Sequence, residues 1–290
     1  MTRVPSLTRA RPLRTARPVS GELILGVLTV HTVLLALFYS PAFQVLVSRP
    51  FAKATDGIAT HVLVTNLLEF AILIAGCMIV VGGMRLRDVG IRRRGWVTAV
   101  LATLSLWGLT QLVMHGLAEL TDVPASLNPV WMYPMASAEI GRPLPGVLVA
   151  AAVEEVMYRG FLLPQLFHLT QRWGTQRLTY ALVMSQVLFG INHVPAGVVM
   201  GLSPFEIGSY VVLAALVGVF LAVLYLRTDN LWLVIGFHAV LNQPLSFYLS
   251  PLDPSLVVLI LGLLLTLAIP FLRQIAPSST PSAPTTPSAP

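Results

Sequence analysis

Apolar runs of about 20 residues, each long enough to span roughly 30 Å of hydrocarbon, recur along this chain from Gly21 to Leu272. A bilayer core offers the backbone no hydrogen-bond partner, so such runs must satisfy their own N–H and C=O groups as helices. A soluble core does not explain them. Of the 290 residues 56% are hydrophobic and only 10% are charged, against about 25% charged in a soluble domain. Mean hydropathy is +0.80. The fold class that follows is an all-α polytopic membrane protein.

About eight transmembrane helices are expected, near Gly21–Tyr39, Ile58–Val81, Trp96–Leu117, Val147–Phe167, Thr179–Met200, Ile207–Leu226, Leu231–Leu249 and Leu256–Leu272. Pro41, Gly82-Gly83, Pro145, Pro195, Pro204 and Pro251 punctuate them. Residues 1–20 hold five Arg and three Pro and read as a disordered basic arm. A signal peptide would also place an apolar run after basic residues. This run is longer than an h-region and lacks a small-residue cleavage site, so it is read as a retained helix. Residues 274–290 are rich in Pro, Ser and Thr and read as a disordered tail. Between the ends, residues 21–145 form the N-terminal transmembrane helices, 146–250 a catalytic core and 251–273 the last helix. The single cysteine, Cys77, reads as a small buried hydrophobe.

The Lys/Arg distribution orients the chain. With the N-terminus in the cytoplasm, inside segments carry fourteen Lys/Arg and outside segments only Arg49, Lys53 and Arg142, with Arg159 left within a helix. An even number of helices returns the C-terminus to the cytoplasm. The excess of Arg over Lys is the composition of a GC-rich bacterial genome, so the bacterial cytoplasmic membrane is the expected location. The net charge of +6 thus reflects topology. No Gly-rich phosphate loop or basic patch interleaved with aromatics is present, and no nucleic acid is expected.

The fourth run contains Glu154, Glu155 and Arg159. Each such group costs about 2.5–3.5 kcal/mol at a bilayer centre by insertion scales, so each should be paired, wet or in use. Glu155 and Arg159 are i,i+4 neighbours on one helical face, whereas Glu154 points about 100° away. Glu155 can therefore lock the helix through Arg159. Glu154, without a partner on its own helix, can serve as a general base. The bland reading is a purely structural Glu–Arg cluster, but a structural pair does not need two adjacent Glu.

The fifth run ends in Phe189-Gly190-Ile191-Asn192-His193, and the seventh holds His238-Ala239-Val240-Leu241-Asn242. Alone, His193 would be a structural histidine donating to a carbonyl, and the His238/Asn242 pair would be interhelical glue. Together with Glu154 they could line one cavity formed by helices four, five and seven. His and Asn there are donors suited to an oxyanion. Glu69 lies in the second run without an evident partner and is read as protonated or as lining the cavity. His31, His61, His115 and His168 read as interfacial or structural.

In this order, Glu-Glu-x-x-x-Arg, Phe-x-x-x-His and His-x-x-x-Asn resemble the CPBP family of type II CAAX prenyl endopeptidases and bacteriocin-processing intramembrane proteases. Glu154, Glu155 and Arg159 match the first motif, Phe189 and His193 the second, His238 and Asn242 the third. The resemblance implies an endopeptidase acting on a membrane-associated protein or peptide: a C-terminally lipidated protein, a protein with a sorting segment, or a bacteriocin precursor. It also implies that Glu154 and His193 activate water, that His238 and Asn242 steady the oxyanion, and that Glu155, Arg159 and Phe189 support the site. Such enzymes are often classed as metalloproteases, and Glu154, His193 and His238 would suit Zn²⁺ with a water as fourth ligand. No His-Glu-x-x-His is present. A metal-free glutamate mechanism accounts better for Asn242, because an amide is a poor zinc ligand and a good oxyanion donor. No cofactor is therefore favoured. The competing function is a transporter or proton relay built on the same buried Glu and His residues.

Overall fold

The structure is a computed structural model that describes residues 11–121, 127–128, 143–249 and 252–275. Among the described residues eight helical segments correspond to the apolar runs of the sequence, with a further helical stretch over residues 41–54 between the first two. The eight are α1 (Gly21–Phe38), α2 (His61–Val81), α3 (Trp96–Leu120), α4 (Pro143–Glu155 continuing through Val156–Leu162 and Leu163–Leu169), α5 (Gln171–Val199), α6 (Pro204–Thr228), α7 (Leu231–Asn242) and α8 (Pro254–Ile275). Five of them, α1, α2, α3, α5 and α6, are long and apolar enough to cross a membrane. The other three differ: α4 carries Glu154, Glu155 and Arg159, α7 has only 12 residues, and α8 has 22 residues with Pro270 inside it. Among the described residues no strand forms, and β pairing is limited to the bridge between Leu127 and Tyr248.

The starts of the helices follow from their caps. Ser20, Thr60 and Asn230 accept from the backbone N–H groups of Leu23, Leu63 and Leu233, and Ser203 with Glu206 forms a capping box. Each satisfies a donor that the first helical turn leaves open. α7 ends at Asn242, short of the Leu249 expected from hydropathy, because Pro244 disfavours helix in the residue before it. Leu245 then turns the chain at a positive φ of 45°, and Trp107 donates to the Pro244 carbonyl at 3.0 Å.

α4 is the central helix, packed against α2, α5 and α7. From Val156 to Leu163 every side chain is at most 1% exposed. Its backbone touches the turn Leu86–Val89, where a Cβ on Gly160 would sit 2.1 Å from the Val89 carbonyl oxygen. Surrounding helices present residues such as Leu25, Val80, Leu112 and Leu213 outward, each more than half exposed, as a lipid-facing surface requires. Central placement reconciles the charges of α4 with a membrane, since only protein partners can satisfy them there.

The N-terminal segment departs from the disordered arm expected of residues 1–20. Arg11–Thr15 is helical with Leu13 fully buried. The Gln165 side chain donates to the Arg17 carbonyl at 2.9 Å and accepts from Val19 N–H at 3.0 Å. Basic composition hid this docking, because one amide on α4 satisfies two backbone groups of a distant segment. Residues 1–10 and the tail from 276 lie outside the described residues.

Candidate active site in the helix bundle

At Val156, directly after the paired glutamates, α4 changes from α-helical to π-helical pairing through Leu162. Such changes of pitch recur at functional sites. Here the two carboxylates part. Glu155 is fully buried, and its Oε1 accepts from Arg159 Nη1 at 2.9 Å and from His238 Nδ1 at 2.7 Å. Glu154 keeps a quarter of its side chain exposed, and its Oε2 lies 3.7 Å from His238 Nε2. That is ion-pair range but too long for a hydrogen bond. The separation expected from helical faces is present, with one correction: the two glutamates share a partner, His238, through its opposite nitrogens. A carboxylate only accepts, so His238 donates from Nδ1 to Glu155 and turns Nε2 toward Glu154.

Arg159 is held on three sides. Besides Glu155 it donates from Nη2 to the Gly218 carbonyl of α6 at 3.0 Å, and its guanidinium lies 4.3 Å from the centre of the Phe189 ring. A Cβ at Gly218 would come within 3.1 Å of that Nη2 and 2.8 Å of Phe189 Cδ1, so glycine permits the close approach. The Phe189 ring also makes edge contacts with Tyr158 at 5.0 Å, His193 at 4.9 Å and His238 at 6.2 Å. One aromatic ring thus spaces the buried cation from two histidines.

His193 lies where α5 breaks between Ile191 and Val194, ahead of Pro195. Its Nδ1 donates to the Phe189 carbonyl at 2.9 Å, one turn back. That bond leaves Nε2 with its lone pair. Tyr210 from α6 stacks edge-on against the ring at 5.4 Å. Asn242, exposed at the last position of α7, sits one turn beyond His238. Glu154, His193, His238 and Asn242 all line one cavity of about 320 Å³. The cavity expected from α4, α5 and α7 is therefore also walled by α1, α2 and α6.

Those added walls carry His31 and His61, read from the sequence as structural or interfacial, and Glu69, read as protonated or as lining the cavity. His31 Nδ1 of α1 meets the Glu69 carboxylate of α2. Its Nε2 pairs with the Asn192 side-chain oxygen at 2.6 Å, and Tyr158 Oη is 3.4 Å from the same nitrogen. His31 and Glu69 are about 5% exposed and belong to the cavity, as does His61, which bonds Ser48 at 2.8 Å. Glu69, like Glu155, is the last α-helical residue before a π-helical stretch. The other two histidines do serve structure: His115 stacks on Tyr248 at 4.8 Å, and His168 reaches the Ala16 carbonyl at 3.2 Å. No sequence signal ties His31 to Glu69. A Glu without a partner in an apolar helix is the available hint.

The candidate metal ligands can be tested against the geometry. Among the described residues no three His, Cys, Asp or Glu side chains group in a way that could hold a metal ion. Glu154, His193 and His238 share a cavity without forming a ligand set.

Residues 136–243 match the family model described as Type II CAAX prenyl endopeptidase Rce1-like. Over that stretch the chain is similar to CAAX-type endopeptidases. The match spans 108 of the 290 residues and includes every site residue from Glu154 to Asn242. His31 and Glu69 lie outside the Rce1-like span. No curated protein and no solved structure matches the chain.

Proposed function

We propose that the chain is an intramembrane endopeptidase that hydrolyses a peptide bond of a membrane-associated protein or peptide without a metal. The observation that carries this reading is the gathering of Glu154, His193, His238 and Asn242 on one cavity inside the helix bundle. Glu154 takes a proton from a water that His193 Nε2 holds by accepting its other hydrogen. The resulting hydroxide attacks the scissile carbonyl carbon. The oxyanion that forms receives hydrogen bonds from the Asn242 amide and from Nε2–H of His238, which as an imidazolium held between two carboxylates carries a proton on each nitrogen, both aimed at charge that develops only in the transition state. Glu154 then passes its proton to the leaving nitrogen, the C–N bond breaks, and the new acid gives its hydroxyl proton to the amine, so that a carboxylate and an ammonium depart. Glu155 fixes His238 through Nδ1 and neutralises Arg159. Glu69 and His31 hold Asn192, and with it the turn that presents His193.

The transporter reading needs ionisable groups staggered through the membrane. Here they gather in one cavity. Beneath it Arg159 is fixed by Glu155 and the Gly218 carbonyl, among apolar neighbours such as Val156, Met157, Phe161 and Leu162, so it serves as a lock and not as a relay.

Glu154→Gln tests the proposal, because it removes the base and keeps the shape. A comparative membrane proteome should show uncleaved precursors accumulating in the Glu154→Gln strain. Wild-type turnover of a confirmed substrate by this variant would end the assignment.

A further inference from the structure

The cavity and the basic residues occupy opposite ends of the bundle. The lining of the cavity comes from the last turns of α1 and α7, the break in α5, the first turns of α2 and α6 and the first half of α4. Its deepest residue on α1, His31, is seven residues from the helix end at Phe38, about 10 Å of helix. On α2 it runs from His61 to Glu69, eight residues, or about 12 Å. On α7 it takes in His238 and the terminal Asn242, and on α6 Tyr210, six residues from the start. On α4 the lining reaches Glu154, eleven residues from the start at Pro143, about 16 Å of helix, so the cavity runs from one end to about the middle of the bundle. Toward the other end α4 continues as a buried plug from Val156 through Phe167.

That other end is the basic one. Segment 11–20 carries three Arg, segment 82–95 five, segment 170–177 two and the end of α6 Arg227: eleven among the described residues. Their contacts show that these segments form one face. Arg17 donates to the Gly83 carbonyl at 2.6 Å, and Arg92 donates to Asp229 at 2.8 Å and Thr15 at 3.1 Å. Asn230 reaches the Gly95 carbonyl at 2.9 Å, and His168, just before segment 170–177, reaches Ala16. The cavity end carries Arg49 and Lys53 against Asp56, Glu119, Glu206 and Asp253. Short connections rich in Lys and Arg stay in the cytoplasm.

We infer that the cavity opens on the extracytoplasmic face, so that the substrate is an exported or membrane-anchored polypeptide whose scissile bond reaches the bilayer from that side. This rests on the proposed peptidase function and narrows its substrate. A cytoplasmic lipidated C-terminus would meet the plugged, basic end, whereas the exported segment of a precursor meets the mouth at Tyr39, His61 and Asn242. The orientation comes from charge, the location of the mouth from packing, and neither depends on the other.

The test is sided thiol labelling of the full-length protein in its own membrane, with Cys77 replaced by Ala. Lys53→Cys and Arg87→Cys place single thiols on exposed positions at opposite ends, away from the site. Asn66→Cys places one in the cavity wall. A membrane-impermeant maleimide added to intact cells should modify Lys53→Cys at once and Arg87→Cys only after permeabilisation. The same reagent should modify Asn66→Cys from outside, and should fail to do so when confined to the cytoplasmic side of inverted vesicles. Lys53→Cys alone decides the orientation: its labelling only from the cytoplasm overturns the inference. Asn66→Cys labelled only from the cytoplasmic side overturns it as well. Failure of the peptidase reading has a different signature, namely Glu154→Gln without effect on proteolysis while the labelling pattern stands.

Discussion

Replacing Glu155 separates support from chemistry, because one oxygen of that carboxylate holds both Arg159 and His238. Glu155→Ala strands a fully buried guanidinium, whose remaining partners are the Gly218 carbonyl and the Phe189 face. Breaking a buried pair from one side costs about 3–5 kcal/mol, a large part of a total stability of about 5–15 kcal/mol. The unfolding midpoint in detergent should fall by on the order of 10 °C. Glu155→Gln keeps an acceptor for Arg159 and His238 but also removes the counter-charge, so its loss should be smaller than that of Glu155→Ala by only about the 0.5–1.5 kcal/mol of a retained hydrogen bond. In Glu155→Met/Arg159→Met no unpaired charge remains, and stability should return to near wild type or above it. Activity should not return. His238 has lost the acceptor that orients Nε2, and a misplaced oxyanion donor costs about 10²–10³ in kcat. Thermal unfolding in detergent and steady-state kinetics on a quenched peptide substrate read the two effects separately. A double variant with near-wild-type kcat would refute the claim that Glu155 acts through His238. Glu155→Ala within about 1 kcal/mol of wild type, the cost of an ordinary surface change at most, would refute the buried lock.

Asn242→Ala should lower kcat by about 10²–10³ with KM little changed and the fold intact, and combining it with His238→Ala should lose less than the sum, since both serve one oxyanion. A pure KM effect would assign Asn242 to substrate binding. Dialysed enzyme should keep its activity with no stoichiometric zinc, and elemental analysis showing one zinc per chain, lost and regained with activity, would reverse the metal-free mechanism. Glu69→Gln weakens the charge-assisted hold on His31, and a loss of about 1.4 kcal/mol corresponds to tenfold in kcat. Unchanged kcat and KM in that variant would leave the His31–Glu69 pair as packing alone.

Contacts within a single helix are legible in the sequence, because helical periodicity makes i and i+4 neighbours regardless of tertiary context. The Glu155–Arg159 pair, the turn from Phe189 to His193 and the turn from His238 to Asn242 are of this kind. So is the membrane class, which follows from the length of the apolar runs, and so is the basic asymmetry of the connections. The residues closing those turns onto one another come from distant segments. His238 to Glu155 crosses 83 positions, His31 to Asn192 crosses 161, and Gln165 to the N-terminal segment crosses 146. No local period encodes such pairs, since each depends on which helices pack side by side. The sequence by itself determined that charged groups had to be satisfied inside a helical bundle. Only the tertiary structure decided that α4 lies at its centre, that Glu155 serves His238 as well as Arg159, and that α1 and α2 bring His31 and Glu69 to the same cavity, because in hydrocarbon a buried polar group can be satisfied only by whatever protein groups the packing brings to it.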